Sequence, residues 1–310
     1  MLSFRGRLIK FLLKHRHLFK FRLKKKIVDW SKYDAIISFR KEVEAGAGKL
    51  GKLPEDIKIS HVNIDKLHAE WILLSEEASK DKVMLYFHGG GYVSGSCNTH
   101  RAVTAKFVKG SGIGALLFEY RLAPEDPYPA ALEDALKAYK WLLDRGTSPS
   151  KIVFVGDSAG GGLCLATLLL LRDRGLPLPV AAVAISPVTD LKCTGETYIT
   201  KVKECLSPVG MAQAIAKHYA GDKDPGLPYI SPLYGDLQEL PPLLIYAGED
   251  ETLCDDAVRF AEKAKNAGVD ITLRVGERMF HCYPAMAPLF PEATKALKEI
   301  CLFVREQISN

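Results

Sequence analysis

Short apolar runs alternate along most of the chain with longer segments in which apolar residues recur every three or four positions. The short runs predict buried strands at 83–87, 115–118, 152–155, 180–185, 243–247 and 271–275. The periodic segments predict helices over 130–144, 160–173, 255–267 and 291–307. Ahead of them, 57–74 has the pattern of a hairpin. This alternation predicts an α/β fold in which a mostly parallel central sheet is flanked by helices on both faces.

Residues 188–240 interrupt this alternation. The segment is polar, contains several prolines and is only partly helical, which is typical of an insertion placed above a sheet. The chain has no internal repeat and no low-complexity linker, and 310 residues suit one domain with a large core. The sequence therefore predicts a single domain with one insertion.

Basic charge is concentrated at the N-terminus. Residues 1–26 contain ten of the 42 Lys and Arg residues and no acid, so the remainder has 42 − 10 = 32 basic against 37 acidic residues. This acidic remainder is not a nucleic-acid-binding surface. Within the basic segment, Phe4, Leu8, Phe11 and Leu12 recur at helical spacing. Three interpretations stay open: an amphipathic helix that covers the functional site, a helix that contacts a membrane surface, and a frayed basic tail.

The seven cysteines are scattered and form no C-x-x-C pair. This pattern favours reduced thiols in a cytoplasmic protein, since a disulfide framework and a zinc site both have other spacings. No apolar run approaches the roughly 20 residues that span a bilayer. We expect neither a metal ion nor an organic cofactor.

A serine stands between two glycines where a predicted strand meets a predicted helix. The segment 156–160 reads GDSAG and joins the strand at 152–155 to the helix that follows. Glycines on both sides let the two backbones approach closely around a serine that is raised above the sheet. A serine N-cap is common at helix starts, but this strand-to-helix context favours a nucleophile, Ser158.

Three consecutive glycines follow the predicted strand at 83–87, in the segment 88–91 (HGGG). Without side chains in the way, the Gly89 and Gly90 N–H groups can reach a substrate oxygen, with the Ala159 N–H as a third donor. A phosphate-binding loop would need a later Gly-Lys-Ser/Thr, which this segment lacks. We predict an oxyanion hole formed by Gly89, Gly90 and Ala159, with His88 orienting the loop.

A histidine base is expected after the nucleophile, because such sites follow the chain order serine, acid, histidine. Only His218 and His281 come later. His218 lies in the irregular insertion, whereas His281 lies in the loop after strand 271–275, where open α/β sheets place their chemistry. We therefore predict His281 as the base. The acid is expected in the turn after strand 243–247, where the residues alone leave Asp250 and Glu251 open.

These motifs resemble those of the hormone-sensitive-lipase-like, or bacterial family IV, carboxylesterases of the α/β-hydrolase fold. The resemblance runs from about residue 83 to the C-terminus and includes 88–92, 120–125, 129–135, 156–161, 186–191, 231–233 and 279–281. The acid motif of that family, Asp-Pro-Leu-x-Asp-Glu, aligns without gaps on residues 251–256 (ETLCDD). The resemblance thus implies Glu251 as the acid, with glutamate in place of aspartate. It departs at Phe280, where relatives often have proline.

The same resemblance implies a helical cap over the site. The cap would consist of residues 1–50 and an insertion at about 192–225, and the catalytic domain would span 51–310. The edge strand at 271–275 resembles one through which several relatives dimerise, which implies a homodimer.

We expect the activity of a serine carboxylesterase that hydrolyses short- to medium-chain acyl esters through an acyl-enzyme on Ser158. The partner is then a small-molecule ester. Two alternatives stay open: an amidase or deacetylase with the same triad, and a ligand receptor without hydrolysis. The presence of both Ser158 and His281 argues against the receptor.

Overall fold

The structure is a computed structural model that describes residues 2–15, 28–47, 53–75 and 78–309. Within these residues, eight strands form one sheet in the order β1-β2-β4-β3-β5-β6-β7-β8. Their bounds are β1 Lys58–Ile64, β2 Leu67–Leu73, β3 Val83–Phe87, β4 Gly114–Phe118, β5 Ile152–Asp157, β6 Ala181–Ile185, β7 Leu243–Gly248 and β8 Ile271–Gly276. All six strands predicted from apolar runs are present, and the segment 57–74 forms the predicted hairpin of β1 and β2.

The sheet is mostly parallel, as predicted. Only β2 pairs antiparallel, with β1 on one side and β4 on the other, whereas β3 to β8 pair in parallel. Every residue of β3, β4, β5, β6 and β7 is buried. Parallel strands have this pattern because helices cover both faces of the sheet, and for the same reason their sequences are continuous apolar runs.

Helices of the described chain pack on both faces of the sheet. Their bounds are α1 Phe4–Lys14, α2 Tyr33–Gly46, α3 Cys97–Ser111, α4 Ala130–Asp144, α5 Ala159–Asp173, α6 Thr197–Thr200, α7 Met211–Ala220, α8 Cys254–Asn266 and α9 Pro291–Ser309. One apolar core lies against α4, α5 and α8, and a second lies against α3 and α9. Along β5, Phe154 belongs to the first core and its neighbours Val153 and Val155 belong to the second, as the two-residue period of a strand requires.

The carboxyl edge of the sheet is where β3, β5, β7 and β8 end, so their four following loops meet there. Two segments outside the sheet lie over this edge. Tyr219 of α7 stacks on Tyr92 with ring centroids 3.7 Å apart, and Arg40 of α2 donates to the Val93 carbonyl at 2.8 Å. These contacts fit the predicted cap, although residues 16–27 and 48–50 of it lie outside the described residues. The division into cap and catalytic domain stays a prediction.

None of the helices in the described part of the chain combines the length and hydrophobicity needed to cross a bilayer.

All seven cysteines carry free thiols, and five of them are buried. The cytoplasmic location expected from the cysteine pattern stays a prediction.

Candidate active site

Ser158 occupies the turn between β5 and α5. Its backbone has φ 55° and ψ −123°, a conformation that non-glycine residues seldom adopt. The turn needs glycine on both sides: a Cβ on Gly156 would collide with the Gly160 backbone, and a Cβ on Gly160 would collide with the Phe87 carbonyl. The strand-to-helix turn predicted for the nucleophile is therefore present, with the serine at its apex.

His281 reaches Ser158 from the loop after β8. Its Nε2 lies 3.0 Å from the Ser158 Oγ, within hydrogen-bonding distance. Its Nδ1 forms a hydrogen bond with the Glu251 carboxylate on the opposite side of the ring. The three side chains thus form one continuous chain of hydrogen bonds, although they stand far apart in sequence. The other candidate, His218, has its Nε2 2.9 Å from the Trp30 carbonyl oxygen instead.

Glu251 is fully buried, and each of its oxygens has a partner. Oε2 faces His281, while Oε1 accepts the Gly248 N–H at 2.6 Å and the Ser186 hydroxyl at 2.8 Å. The Ser186 hydroxyl oxygen also accepts the Cys282 N–H at 3.0 Å. Ser186 therefore ties the acid to the histidine loop, a role that sequence reasoning missed. Its only sequence signal is its place in the 186–191 motif.

Asp250, the alternative acid, turns away from the histidine. Its carboxylate accepts hydrogen bonds from Lys10 and, at 3.0 Å, from Lys201. Burial alone would raise the pKa of Asp250, but the two lysines outweigh burial and lower it. Asp250 is thus an ion-paired carboxylate that takes no part in the hydrogen bonds between Ser158, His281 and Glu251.

The protonation of His281 is set by competing effects. Burial alone would lower the pKa of His281, but contacts with Cys282 and with the Glu251 carboxylate raise it well above its ordinary value. Burial also raises the pKa of the Cys282 thiol, so that this thiol is neutral near pH 7. We therefore ascribe the upward shift to Glu251. A carboxylate in this position favours the protonated imidazole that forms when a serine loses its proton.

The glycine loop 88–91 corrects one prediction. The Gly89 N–H donates to Asp157 Oδ1 and to His100 Nε2, at 3.2 Å each, so it is not available to a substrate oxygen in this arrangement. The N–H groups of Gly90, Gly91 and Ala159, by contrast, donate to no group among the described residues. Gly91, which sequence reasoning did not single out, therefore replaces Gly89 among the candidate donors.

His88 holds the loop, as its position suggested. The ring is fully buried, stacks on Tyr120 with centroids 4.1 Å apart, and has Nδ1 2.9 Å from the Gly89 carbonyl oxygen. Burial, more than any other cause, lowers the pKa of His88 to about 3. The ring is neutral and takes no direct part in the Ser158 contact.

Potential metal ligands occur away from this site, on the β1–β2 hairpin and beside it. His61, His68 and Glu70 place one ligand atom each within 4.8 Å of one another, and His68, Cys97 and Glu119 do the same. However, Arg101 occupies both Glu70 oxygens, at 2.8 and 2.5 Å. A cation would have to share that carboxylate with a guanidinium, so the group that contains Glu70 is better described as an ion pair.

Comparison with known proteins shows the family and the fold of this chain. A family model described as alpha/beta hydrolase fold matches residues 84–285. An acetyl-hydrolase of Streptomyces hygroscopicus is 40% identical over 259 residues, which are 83% of this chain and 85% of that protein. An esterase from the bacterial hormone-sensitive lipase family superposes with a TM-score of 0.89 and 39% identity, covering 99% of each chain. The structure of EstE5 soaked with p-nitrophenyl butyrate has a TM-score of 0.89 and 38% identity, covering 99% of this chain and 100% of that chain.

The chain belongs to the hormone-sensitive-lipase-like carboxylesterases of the α/β-hydrolase superfamily and is a carboxylic ester hydrolase. The predicted fold class and family are confirmed. Further relatives are named an esterase of Acinetobacter venetianus and an ethyl acetate hydrolase of Pseudomonas putida.

Proposed function

We propose that the protein is a serine carboxylesterase that hydrolyses short- to medium-chain acyl esters through a covalent ester on Ser158. The observation that carries this proposal is the unbroken chain of hydrogen bonds from Ser158 through His281 to Glu251. A nucleophile, a base and a group that orients the base are the parts this chemistry requires, in hydrogen-bonding contact with one another.

In the first half-reaction, His281 Nε2 accepts the Ser158 proton while Oγ attacks the ester carbonyl. The carbonyl oxygen becomes an oxyanion, for which the free N–H groups of Gly90, Gly91 and Ala159 are the proposed donors. Loss of one such donor typically costs ~10²–10³ in rate. The intermediate then collapses, and the alcohol leaves with the proton held by His281.

In the second half-reaction, water attacks the acyl group on Ser158 with His281 again as the base. Glu251 accepts the His281 Nδ1–H throughout, which fixes the tautomer and stabilises the imidazolium.

Substitution of Ser158 by alanine is expected to abolish hydrolysis of p-nitrophenyl esters while the circular dichroism spectrum is unchanged. Full turnover by this variant would contradict the mechanism.

The acyl-chain preference is proposed from the relatives. One is named an acetyl-hydrolase and the structure of another was obtained after soaking with p-nitrophenyl butyrate, so both concern short acyl chains. A series of p-nitrophenyl esters from acetate to laurate tests this preference. We expect the largest kcat/KM for the short and medium chains, and a maximum at laurate would contradict the proposal.

The same three side chains could serve an amidase or deacetylase. Initial rates on an ester and an amide with the same acyl group separate the two activities. We expect the ester to react far faster, because an amide carbonyl is less electrophilic and an amine leaves far less readily than an alcohol, with the same His281 as the proton donor. A ligand receptor on this scaffold would bind esters without hydrolysing them.

We also propose that α1 contacts an anionic membrane surface. Its inner residues pack on the protein, while Phe4, Leu8, Phe11 and Leu12 are exposed at 72%, 45%, 58% and 39%. Residues 16–26 add six further Lys and Arg residues and no acid. An exposed apolar helix face beside dense basic charge fits the surface of an anionic bilayer.

Vesicle co-sedimentation tests the membrane contact. The full chain is expected to sediment with phosphatidylglycerol vesicles, and the Phe11→Glu variant is expected to stay in the supernatant. Equal binding of both would contradict it.

A homodimer through β8 is a further proposal. This strand ends the sheet order, and an unpaired strand edge offers backbone groups to a second copy of the chain. Light scattering after size-exclusion chromatography measures the mass in solution. A monomer of 34.2 kDa would contradict the proposal.

A further inference from the structure

Lys10 of α1 connects the N-terminal helix to both loops that carry the site's acid and base. Its ammonium donates to the Asp250 carboxylate and, at 2.9 Å, to the Arg278 carbonyl oxygen. Asp250 directly precedes Glu251, and Arg278 stands three residues before His281. A single side chain, 240 residues away from Asp250 in sequence, thus touches the turn that supplies the acid and the loop that supplies the base.

Other hydrogen bonds also connect the two loops. The Asp250 N–H donates to the Met279 carbonyl at 2.8 Å, and the Arg278 N–H donates to the Glu249 carboxylate at 2.6 Å. The Ser186 hydroxyl bridges the same two loops. Lys10 adds a further bridge, and its side chain comes from helix α1.

The histidine loop needs such support because its backbone is not in a relaxed conformation. Arg278 has φ 56° and Cys282 has φ 53°, so non-glycine residues occupy the left-handed region on both sides of His281. Residues in that region persist only where surrounding contacts hold them. The hydrogen bond from Lys10 to the Arg278 carbonyl is one of those contacts.

Lys10 is one of two lysines that form ion pairs with the Asp250 carboxylate. The Asp250 side chain is 13% exposed and that of Lys10 is 14% exposed, so the pair is largely shielded from water. Lys201 approaches the same carboxylate from the segment after α6 at 3.0 Å and supplies the second cation. Without Lys10, the carboxylate would keep one partner, and the Arg278 carbonyl would lose its donor.

We propose that Lys10 is a positioning residue that holds the His281 loop against the Glu251 turn. The proposal rests on the proposed function, since it assigns Lys10 to the alignment of Ser158, His281 and Glu251. Lys10 touches neither Ser158 nor His281, and it acts through Asp250 and Arg278. Helix α1 thereby contributes to the geometry of proton transfer between Ser158 and His281.

Lys14, one helical turn further along α1, provides a matched control. It also forms an ion pair, with Glu204 at 2.8 Å, but its side chain and that of Glu204 are 32% and 43% exposed, and neither residue belongs to the acid turn or the histidine loop. Replacement of Lys10 and Lys14 by methionine removes the same charge from the same helix. The two variants differ in the partners they release and in how far those partners are exposed.

Steady-state kinetics with p-nitrophenyl butyrate test the proposal. Lys10→Met is expected to lower kcat roughly 5- to 20-fold with KM nearly unchanged, since sub-ångström displacement of a base slows the chemical step. Lys14→Met is expected to stay within about twofold of the wild type, a size typical of exposed ion pairs. Lys10→Arg, which can reach the same two acceptors, is expected to restore most of the loss.

A second readout isolates the nucleophile. The rate of inactivation by a sulfonyl fluoride reports attack by Ser158 without the deacylation step, so it is expected to fall with kcat in Lys10→Met. In the double variant with Asp250→Asn, the losses are expected to be much less than multiplicative, because both changes remove one interaction. Thermal melting accompanies each variant.

Several results would overturn the proposal. They are wild-type kcat in Lys10→Met, equal losses in Lys10→Met and Lys14→Met, no rescue by arginine, or unfolding of Lys10→Met at the assay temperature. These outcomes differ from failure of the proposed function itself, which would appear as hydrolysis by Ser158→Ala. An inactive Ser158→Ala together with a fully active Lys10→Met would refute the positioning role alone.

Discussion

Replacement of Glu251 by glutamine tests the acid sharply, because the change removes the charge while keeping the shape of the side chain. Glu251 Oε1 accepts the Gly248 N–H at 2.6 Å and the Ser186 hydroxyl at 2.8 Å. In the variant, the amide oxygen must keep this position, since an NH₂ group there would face a backbone donor. The amide nitrogen must then face His281.

The consequence for His281 follows from the hydrogen-bond rules of imidazole. An NH₂ group donates, so His281 Nδ1 must accept, and the ring proton must move to Nε2. The Nε2–H then points at Ser158 Oγ, 3.0 Å away, and can no longer take its proton. We expect kcat/KM to fall about 10³- to 10⁴-fold, or ~4–5.5 kcal/mol in transition-state stabilisation.

Asp250→Asn is the matched control, since it is the same chemical change one residue earlier. Asp250 bonds Lys10 and Lys201 and has no contact with His281, so we expect a loss of roughly tenfold or less, the range of a displaced rather than missing base. Initial rates with p-nitrophenyl butyrate and thermal melting are measured for both variants. Glu251 is not the acid if Asp250→Asn is the more damaging change, or if Glu251→Gln keeps more than about a tenth of the activity.

Further predictions concern the pH profile, Ser186 and the nucleophile. Only neutral His281 can accept the Ser158 proton, so kcat/KM is expected to rise with pH through its pKa; because Glu251 raises that pKa, the midpoint should lie above about 6.5. A midpoint below this value would mean that the carboxylate is not charged beside the ring. Ser186→Ala removes the hydroxyl between Glu251 and the Cys282 N–H and is expected to lower kcat about 3- to 10-fold, the equivalent of one hydrogen bond; unchanged kcat would show that the two loops hold without it. Ser158→Ala is expected to leave no measurable turnover and an unchanged melting temperature within a few degrees.

The sheet could be predicted from sequence because its strands are buried on both faces. Continuous apolar runs such as those of β3, β5 and β7 are characteristic of buried parallel strands when helical segments alternate with them. Helix α3 was missed. Its residues include two threonines and other polar side chains that interrupt the apolar pattern, and its start is set by the Ser96 capping box rather than by periodicity.

The candidate nucleophile and the candidate base could also be anticipated, since each follows a recognisable strand. The choice between Asp250 and Glu251 could not be made from the residues alone, because adjacent acids in a turn point in different directions that only the folded loops determine. The family resemblance indicated Glu251, and the structure places that side chain, not Asp250, against His281.

The partners that shape the site were beyond sequence reasoning. Gly89 has the same side-chain-free backbone as its neighbours, and only the fold shows that Asp157 takes its N–H. Ser186 and Lys10 meet the acid and histidine loops across 65 and 240 residues respectively. No local pattern records contacts over such separations, because they depend on the final packing of distant elements.

The proposed mechanism depends on a covalent intermediate on Ser158. This intermediate can be detected by mass spectrometry of the intact protein, quenched with acid during turnover of p-nitrophenyl butyrate, followed by peptide mapping. We expect a single butyryl group, located on Ser158 and absent from Ser158→Ala. A butyryl group on another residue, or turnover by Ser158→Ala at the wild-type rate, would contradict it.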